Sequence, residues 1–126
     1  MIFNVKIDTK EIFTVLTPTE KELPVIMTAQ IIELLLSYIQ KDIPHIVFNL
    51  QFVETIDEPV GELIATIQQK FYELNCSFVI CCLQKNVEEL LDVQELLGLM
   101  NVTPSESEAW DIVQMEAIER ELLADD

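Results

Sequence analysis

The chain has 126 residues, half of them hydrophobic, with only 2 Gly and 5 Pro. That is enough apolar material for one packed domain over 1–126 and too little punctuation for a disordered or collagen-like chain. Its 7 Lys+Arg stand against 23 Asp+Glu, a formal net charge of −16, which excludes a nucleic-acid backbone or an anionic membrane surface as a direct partner; the acidity would steer in a partner with a basic face at low salt, but taken alone it reads first as what keeps a small protein soluble.

Ile2–Ile7 alternates apolar and polar residues and predicts a first strand. Ile12–Leu16 predicts a second, with Asp8–Glu11 as the turn between them and Thr17–Pro18–Thr19 as its end. Thr28 is the expected cap of a helix reaching about Gln40, with Ile31, Ile32, Leu35 and Ile39 on one side and Asp42 and Pro44 as the stop. His45–Leu50 (HIVFNL) is nearly continuous apolar sequence, as in a buried central strand. Asp57 opens the next helix, with Glu58, Pro59, Gly61 and Glu62 in its first turns and Leu63, Ile64, Ile67 and Phe71 pointing inward. Acids and a proline are favoured there because the first amides are free and the dipole end is positive.

Ser77–Leu83 (SFVICCL) predicts another buried strand. Asn86 is the expected cap of a third helix, with Glu89 at its third position, Leu90, Leu91, Val93 and Leu97 as its apolar positions and Gly98 as its stop. Met100–Val102 predicts a short edge strand. Thr103, Pro104 and Glu106 then read as cap, first and third positions of a last helix ending near Leu123. The order predicts an α/β fold with a mixed central sheet of four to five strands and about four helices.

Little in the chain points to catalysis. Cys81 and Cys82 are neighbours in a strand and face opposite sides, at a spacing unsuited to zinc. His45 is the single histidine, placed at a strand entrance, and reads as a solvated side chain. With only Gly61 and Gly98 there is no phosphate-cradling loop. Asp57 and Glu58 are adjacent carboxylates that point apart at a helix start, with no nucleophile beside them. Trp110, Val113 and Ala117 share one side of the last helix and read as core. No cofactor, no metal and no enzymatic activity are expected. The odd number of cysteines, the lack of a signal-peptide pattern and the lack of any apolar run of membrane-spanning length predict free thiols and a cytoplasmic location.

The place to look for function is the carboxyl end of HIVFNL, where sites on open α/β sheets gather. There the sequence resembles the bacterial anti-sigma-factor antagonists of the STAS type. Those proteins carry a strand hydrophobic–hydrophobic–Asp–Leu, a short loop, and a hydrophobic residue followed by Asp-Ser-Ser/Ala-Gly at a helix start. Here the strand reads Ile46–Val47–Phe48–Asn49–Leu50, and the loop runs through Val53 to Ile56 and Asp57. Ser77–Ile80 and Asn86–Leu91 are similar to the next strand and helix of the family. Val102–Ala109 and Met115–Leu122 resemble the end of a branch associated with Bacteroidetes.

The resemblance implies a STAS-like fold and a protein-binding module that regulates transcription or signalling by partner switching with an anti-sigma factor that is also a serine kinase. It places the partner-binding surface at Asp57, Glu58, Pro59, Val60 and Gly61. In the family the Ser after the Asp accepts the phosphate; aligned without gaps, Glu58 holds that position, Pro59 replaces the next small residue and Val60 the Gly. Shifting the alignment to match Gly61 restores no hydroxyl, and the nearest, Thr55, precedes the Asp. Glu58 has two readings. It is an acid in the first turn of a helix, worth about 0.3–1 kcal/mol, or a permanent and partial stand-in for phosphoserine, with one charge and two oxygens where phosphate has more of both. The alternative function is a structural STAS subunit that assembles with paralogues, or with itself as a homodimer, without switching.

Overall fold

The computed structural model describes residues 3–124. Two antiparallel strands open the chain, β1 (Val5–Thr9) and β2 (Thr14–Pro18), paired from Val5↔Pro18 to Thr9↔Thr14. The hairpin is closed by a bond from Lys10 N to Phe13 O at 2.8 Å. Each strand thus sits about two residues later than its apolar pattern predicts, because Ile12 and Phe13 fall in the loop. Phe13 is buried there against the edge of Trp110, ring centroids 5.4 Å apart. Ile2 lies outside the described residues. Pro18 fits as the last residue of β2, because the pairing of β2 with the next sheet strand covers only Thr14–Leu16, so its missing N–H removes no ladder bond.

A two-residue strand, β3 (Glu22–Leu23), leads into a 3-10 turn (Val25–Met27) and α1 (Thr28–Ser37), which tightens into a second 3-10 turn at Tyr38–Gln40. β4 (Ile46–Asn49) follows, then a second two-residue strand, β5 (Thr55–Ile56), and α2 (Glu58–Glu73). β6 (Phe78–Cys81), α3 (Lys85–Val93), a 3-10 turn (Leu97–Leu99), β7 (Val102–Thr103) and α4 (Glu106–Ala124) complete the order. The five-stranded sheet runs β1-β2-β4-β6-β7, antiparallel at β1–β2 and parallel elsewhere, so HIVFNL supplies its central strand.

The strand period of two sorts the core into two layers. Leu16, Ile46, Phe48, Phe78 and Ile80 face α1, α2 and α3, meeting Ile31, Leu35, Ile64, Phe71, Val87 and Leu91. Val15, Val47, Val79 and Cys81 face the other way and are covered by Ala109 and Val113 of α4. Phe78 joins Phe48 and Phe71 edge to face at 5.8 and 5.0 Å, contacts worth about 0.5–1.5 kcal/mol each beyond area burial.

Three helix starts differ from the sequence expectation. Thr28 is not a cap: its backbone is already helical and its Oγ1 donates back to Val25 O at 2.9 Å. α3 begins at Lys85, one residue before Asn86, with Gln84 in the cap position and no capping side-chain bond. Gln84 reaches instead across to Gln51 O at 2.7 Å. α4 begins at Glu106; Thr103 is held extended by its pairing with Cys81, and Ser105 Oγ accepts the Glu108 amide at 3.3 Å.

The ends of α2 and α3 have one cause. Asn75 and Glu95 both adopt left-handed φ of 60°, and the residues after them, Cys76 and Leu96, donate back to Phe71 O and Leu91 O at 2.8 and 2.9 Å. This is the Schellman geometry. Glu95, not Gly98, terminates α3, and Val93, expected inward, is 80% exposed. Among the described residues no helix is long and apolar enough to cross a membrane.

Candidate functional site

The segment after β4 is built from the mini-sheet that local pattern does not reveal. β3 and β5 pair in parallel, Glu22↔Thr55 and Leu23↔Ile56. Amides of Glu54 and Thr55 donate to Lys21 O at 2.7 and 3.2 Å, and that of Asp57 to Leu23 O at 3.1 Å. This ladder sets the start of α2 beside the start of the α1 segment.

Asp57 has the extended backbone of an N-cap, φ −75° and ψ 150°, and its carbonyl accepts from Val60 and Gly61 at 2.9 and 3.2 Å. Its side chain makes no cap bond to α2. Instead Asp57 Oδ2 accepts the Val25 amide at 2.7 Å, across 32 residues of chain. The carboxylate thus caps the turn that leads into α1 while its backbone starts α2. One residue fixes two helix starts and holds the exposed pair Val25 and Ile26 at the Asp57 carboxylate.

Glu58 and Pro59 occupy the first two positions of α2 and both are exposed. The Glu58 carbonyl accepts from Gln94 Nε2 at 2.9 Å, which ties the end of α3 to this first turn. Of the five residues expected at the surface, Val60 is fully buried in the helical core and Gly61 is buried against α3. A Cβ at Gly61 would lie 2.6 Å from Gln94 Oε1 and 3.1 Å from Leu91 Cδ2. Asp57, Glu58 and Pro59 are therefore the solvent-facing part of the motif, and Val60 and Gly61 set how closely α2 approaches the core. Thr55 is exposed on β5, before the helix.

Ahead of β5, the β4–β5 turn exposes Phe52 over a shallow cleft of about 300 Å³ lined by Thr19, Lys21, Gln51, Phe52, Glu54 and Gln84. The turn is anchored by Asn49, which stands where the resemblance has an Asp. Its Oδ1 accepts the Gln51 amide at 2.9 Å and its Nδ2 donates to Glu106 Oε1 at 2.9 Å. A buried Asn can serve both partners because it carries an acceptor and a donor. The bond of Asn49 to Glu106 and the roles of Gln84 and Gln94 escape sequence reasoning, since these partners lie on other elements.

The remaining reactive side chains lie elsewhere. His45, at the opposite end of β4, is half-buried rather than solvated; its Nδ1 accepts the Ser77 amide at 3.0 Å. Burial, and then the Arg120 guanidinium, hold its pKa below the ordinary value. Burial pushes up the thiols of Cys76 and Cys81, which makes both poor nucleophiles. Cys82 is partly exposed, at a left-handed φ of 61° just past β6. Tyr72 is pushed up to about 12, chiefly by burial. Among the described residues no cluster of three or more His, Cys, Asp or Glu could hold a metal ion.

Comparison with known proteins gives a consistent picture. An anti-sigma factor antagonist from Mycobacterium paratuberculosis superposes with a TM-score of 0.77 at 12% identity, covering 90% of this chain and 95% of that one. The anti-sigma factor antagonist SpoIIAA in its unphosphorylated form gives 0.70 at 16% identity, covering 88% and 96%. A serine-to-glutamate variant of RsbS from Moorella thermoacetica also gives 0.70, at 20% identity, covering 90% and 97%. A comparison with curated proteins gave no match. These likenesses establish the fold, and the model of the STAS domain matches residues 5–109: the chain belongs to the STAS domain family.

Proposed function

We propose that the protein is a non-enzymatic, cytoplasmic binding module that acts as an anti-sigma-factor antagonist. It docks a kinase-like anti-sigma partner through the exposed ridge Asp57–Glu58–Pro59, flanked by Val25, Ile26 and Phe52. The observation that carries this reading is the dual role of Asp57. By capping the Val25 turn it presents an apolar pair and an acidic helix start as one surface. Buried apolar anchors ringed by polar groups are what a protein partner takes up. The structural neighbours named as anti-sigma-factor antagonists support the class of partner. The acids at the ridge have no nucleophile beside them, in keeping with binding rather than catalysis.

In this reading the module is not switched by phosphate at the helix start, because Glu58 and Pro59 supply no hydroxyl. That same feature favours a second reading, a STAS subunit that assembles with paralogues and never switches. The test is to incubate wild type and Glu58→Ser with the kinase encoded nearest in the genome and ATP, then measure intact mass and affinity. The switching ancestry predicts phosphate on Glu58→Ser alone. Phosphate on wild type within residues 55–61 would place it on Thr55 and refute the loss of the switch. Equal affinity of both proteins for the kinase, with no phosphate on either, would favour the assembly subunit.

A further inference from the structure

α4 carries apolar side chains on two sides. The inward side, Ala109 and Val113, covers the sheet. The outward side presents Met115, Ile118 and Leu122, which are 58%, 58% and 66% exposed. Their spacing of three and four residues places them in one stripe. Among the described residues none of the three joins or packs against either layer of the core, and a contiguous exposed apolar face is a mark of an interaction site. It lies on the layer opposite α1–α3, so it is separate from the Asp57–Pro59 ridge.

The charges around the stripe say what covers it. Asp111, Glu119 and Glu121 flank it and are exposed. The one basic residue of α4, Arg120, is turned away, with Nη2 donating to Ser77 Oγ at 2.8 Å. The last turn has no basic residue although the negative end of the helix dipole lies there. Cations brought by a partner would meet both the carboxylates and the dipole. A second copy would bring only like charge, since an isologous contact sets the same patch, with its rim of Asp111, Glu119 and Glu121, on both sides of the interface. We infer that the outer face of α4 is a second docking surface, and that its occupant is an amphipathic helix of another protein whose apolar stripe is edged by Lys or Arg.

The test uses a designed helical peptide with a leucine stripe flanked by lysines, and a control flanked by glutamates. Wild type is expected to bind the lysine peptide in a salt-sensitive way, with amide-signal changes along 111–122 and none at 57–61. The double variant Ile118→Ser/Leu122→Ser is expected to lose at least about tenfold in affinity while its thermal unfolding stays unchanged. Should that variant fold poorly, Glu119→Lys/Glu121→Lys keeps the stripe, and its loss of affinity tests the rim alone. Unchanged affinity in the variants, absence of binding, equal binding of the glutamate peptide, or signal changes at 57–61 would overturn the inference. So would a wild-type dimer in sedimentation that the serine variant dissolves, since the occupant would then be a second copy.

Discussion

Asp57→Ala is the substitution that separates the structural account from a conventional cap. It removes the acceptor of the 2.7 Å bond from the Val25 amide. Hydrogen bonds to charged groups contribute about 1.5–3 kcal/mol, and solvent exposure here places the expected loss near the lower end. Loss of a negative charge beside the first turn of α2 adds about 0.3–1 kcal/mol. The ordinary contribution of a capping side chain is absent, because the carboxylate makes no bond to α2 amides. The expected destabilisation is thus about 2 kcal/mol, a fall of roughly 1 M in urea midpoint for a small protein. Asp57→Asn keeps an acceptor and should lose less than half as much. The diagnostic reading is amide exchange: Val25 should lose protection by roughly tenfold or more, the equivalent of about 1.4 kcal/mol, before the amides of α2 do. Unchanged exchange at Val25, with fraying confined to the first turn of α2, would show that Asp57 acts on its own helix and would refute the coupling of the two helix starts.

Gly61→Ala should gain about 1 kcal/mol from helix propensity yet force Gln94 off Glu58 O, losing a bond of about 1 kcal/mol and crowding Leu91; it is therefore expected to be neutral to destabilising. In a Gln94→Ala background, where only the close Leu91 contact remains, the same change should be more favourable than in wild type by about 1 kcal/mol, and additivity of the two substitutions in a double-mutant cycle would contradict the packing described. His45 has a folded-state pKa below its unfolded value of 6.5, so between the two values the unfolded chain binds more protons. Stability should be full above pH 6.5 and fall as pH drops through that value toward the folded pKa. His45→Asn, which keeps an acceptor for Ser77 N–H, should flatten this dependence in urea titrations, and an equally steep fall in the variant would assign it to another group.

The layered architecture was legible because buried parallel strands read as continuous apolar runs: HIVFNL and SFVICCL lie beside each other in the sheet interior. What escaped has a common cause. β3 and β5 are two residues each and are specified only by pairing with one another, so neither leaves a periodic signal. The start of α1 is capped by a carboxylate far along the chain, and local sequence pointed instead to Thr28. Asn86 looked like a cap, but Gln84 anchors that region through Gln51. At the motif itself, the residue types located the helix start correctly. They did not show that Val60 is absorbed by the core, nor that Gly61 is required by the approach of Gln94.

The proposed role of the ridge is tested most directly by comparing what wild type and Glu58→Lys recover from the native cell, with quantitative mass spectrometry of each. A small ATP-binding protein of the serine-kinase type should be enriched with wild type and fall by at least about tenfold with Glu58→Lys, as expected for reversal of a charge at the centre of a docking face. Recovery of the same proteins in the same amounts with both chains would contradict the placement of the partner at the start of α2.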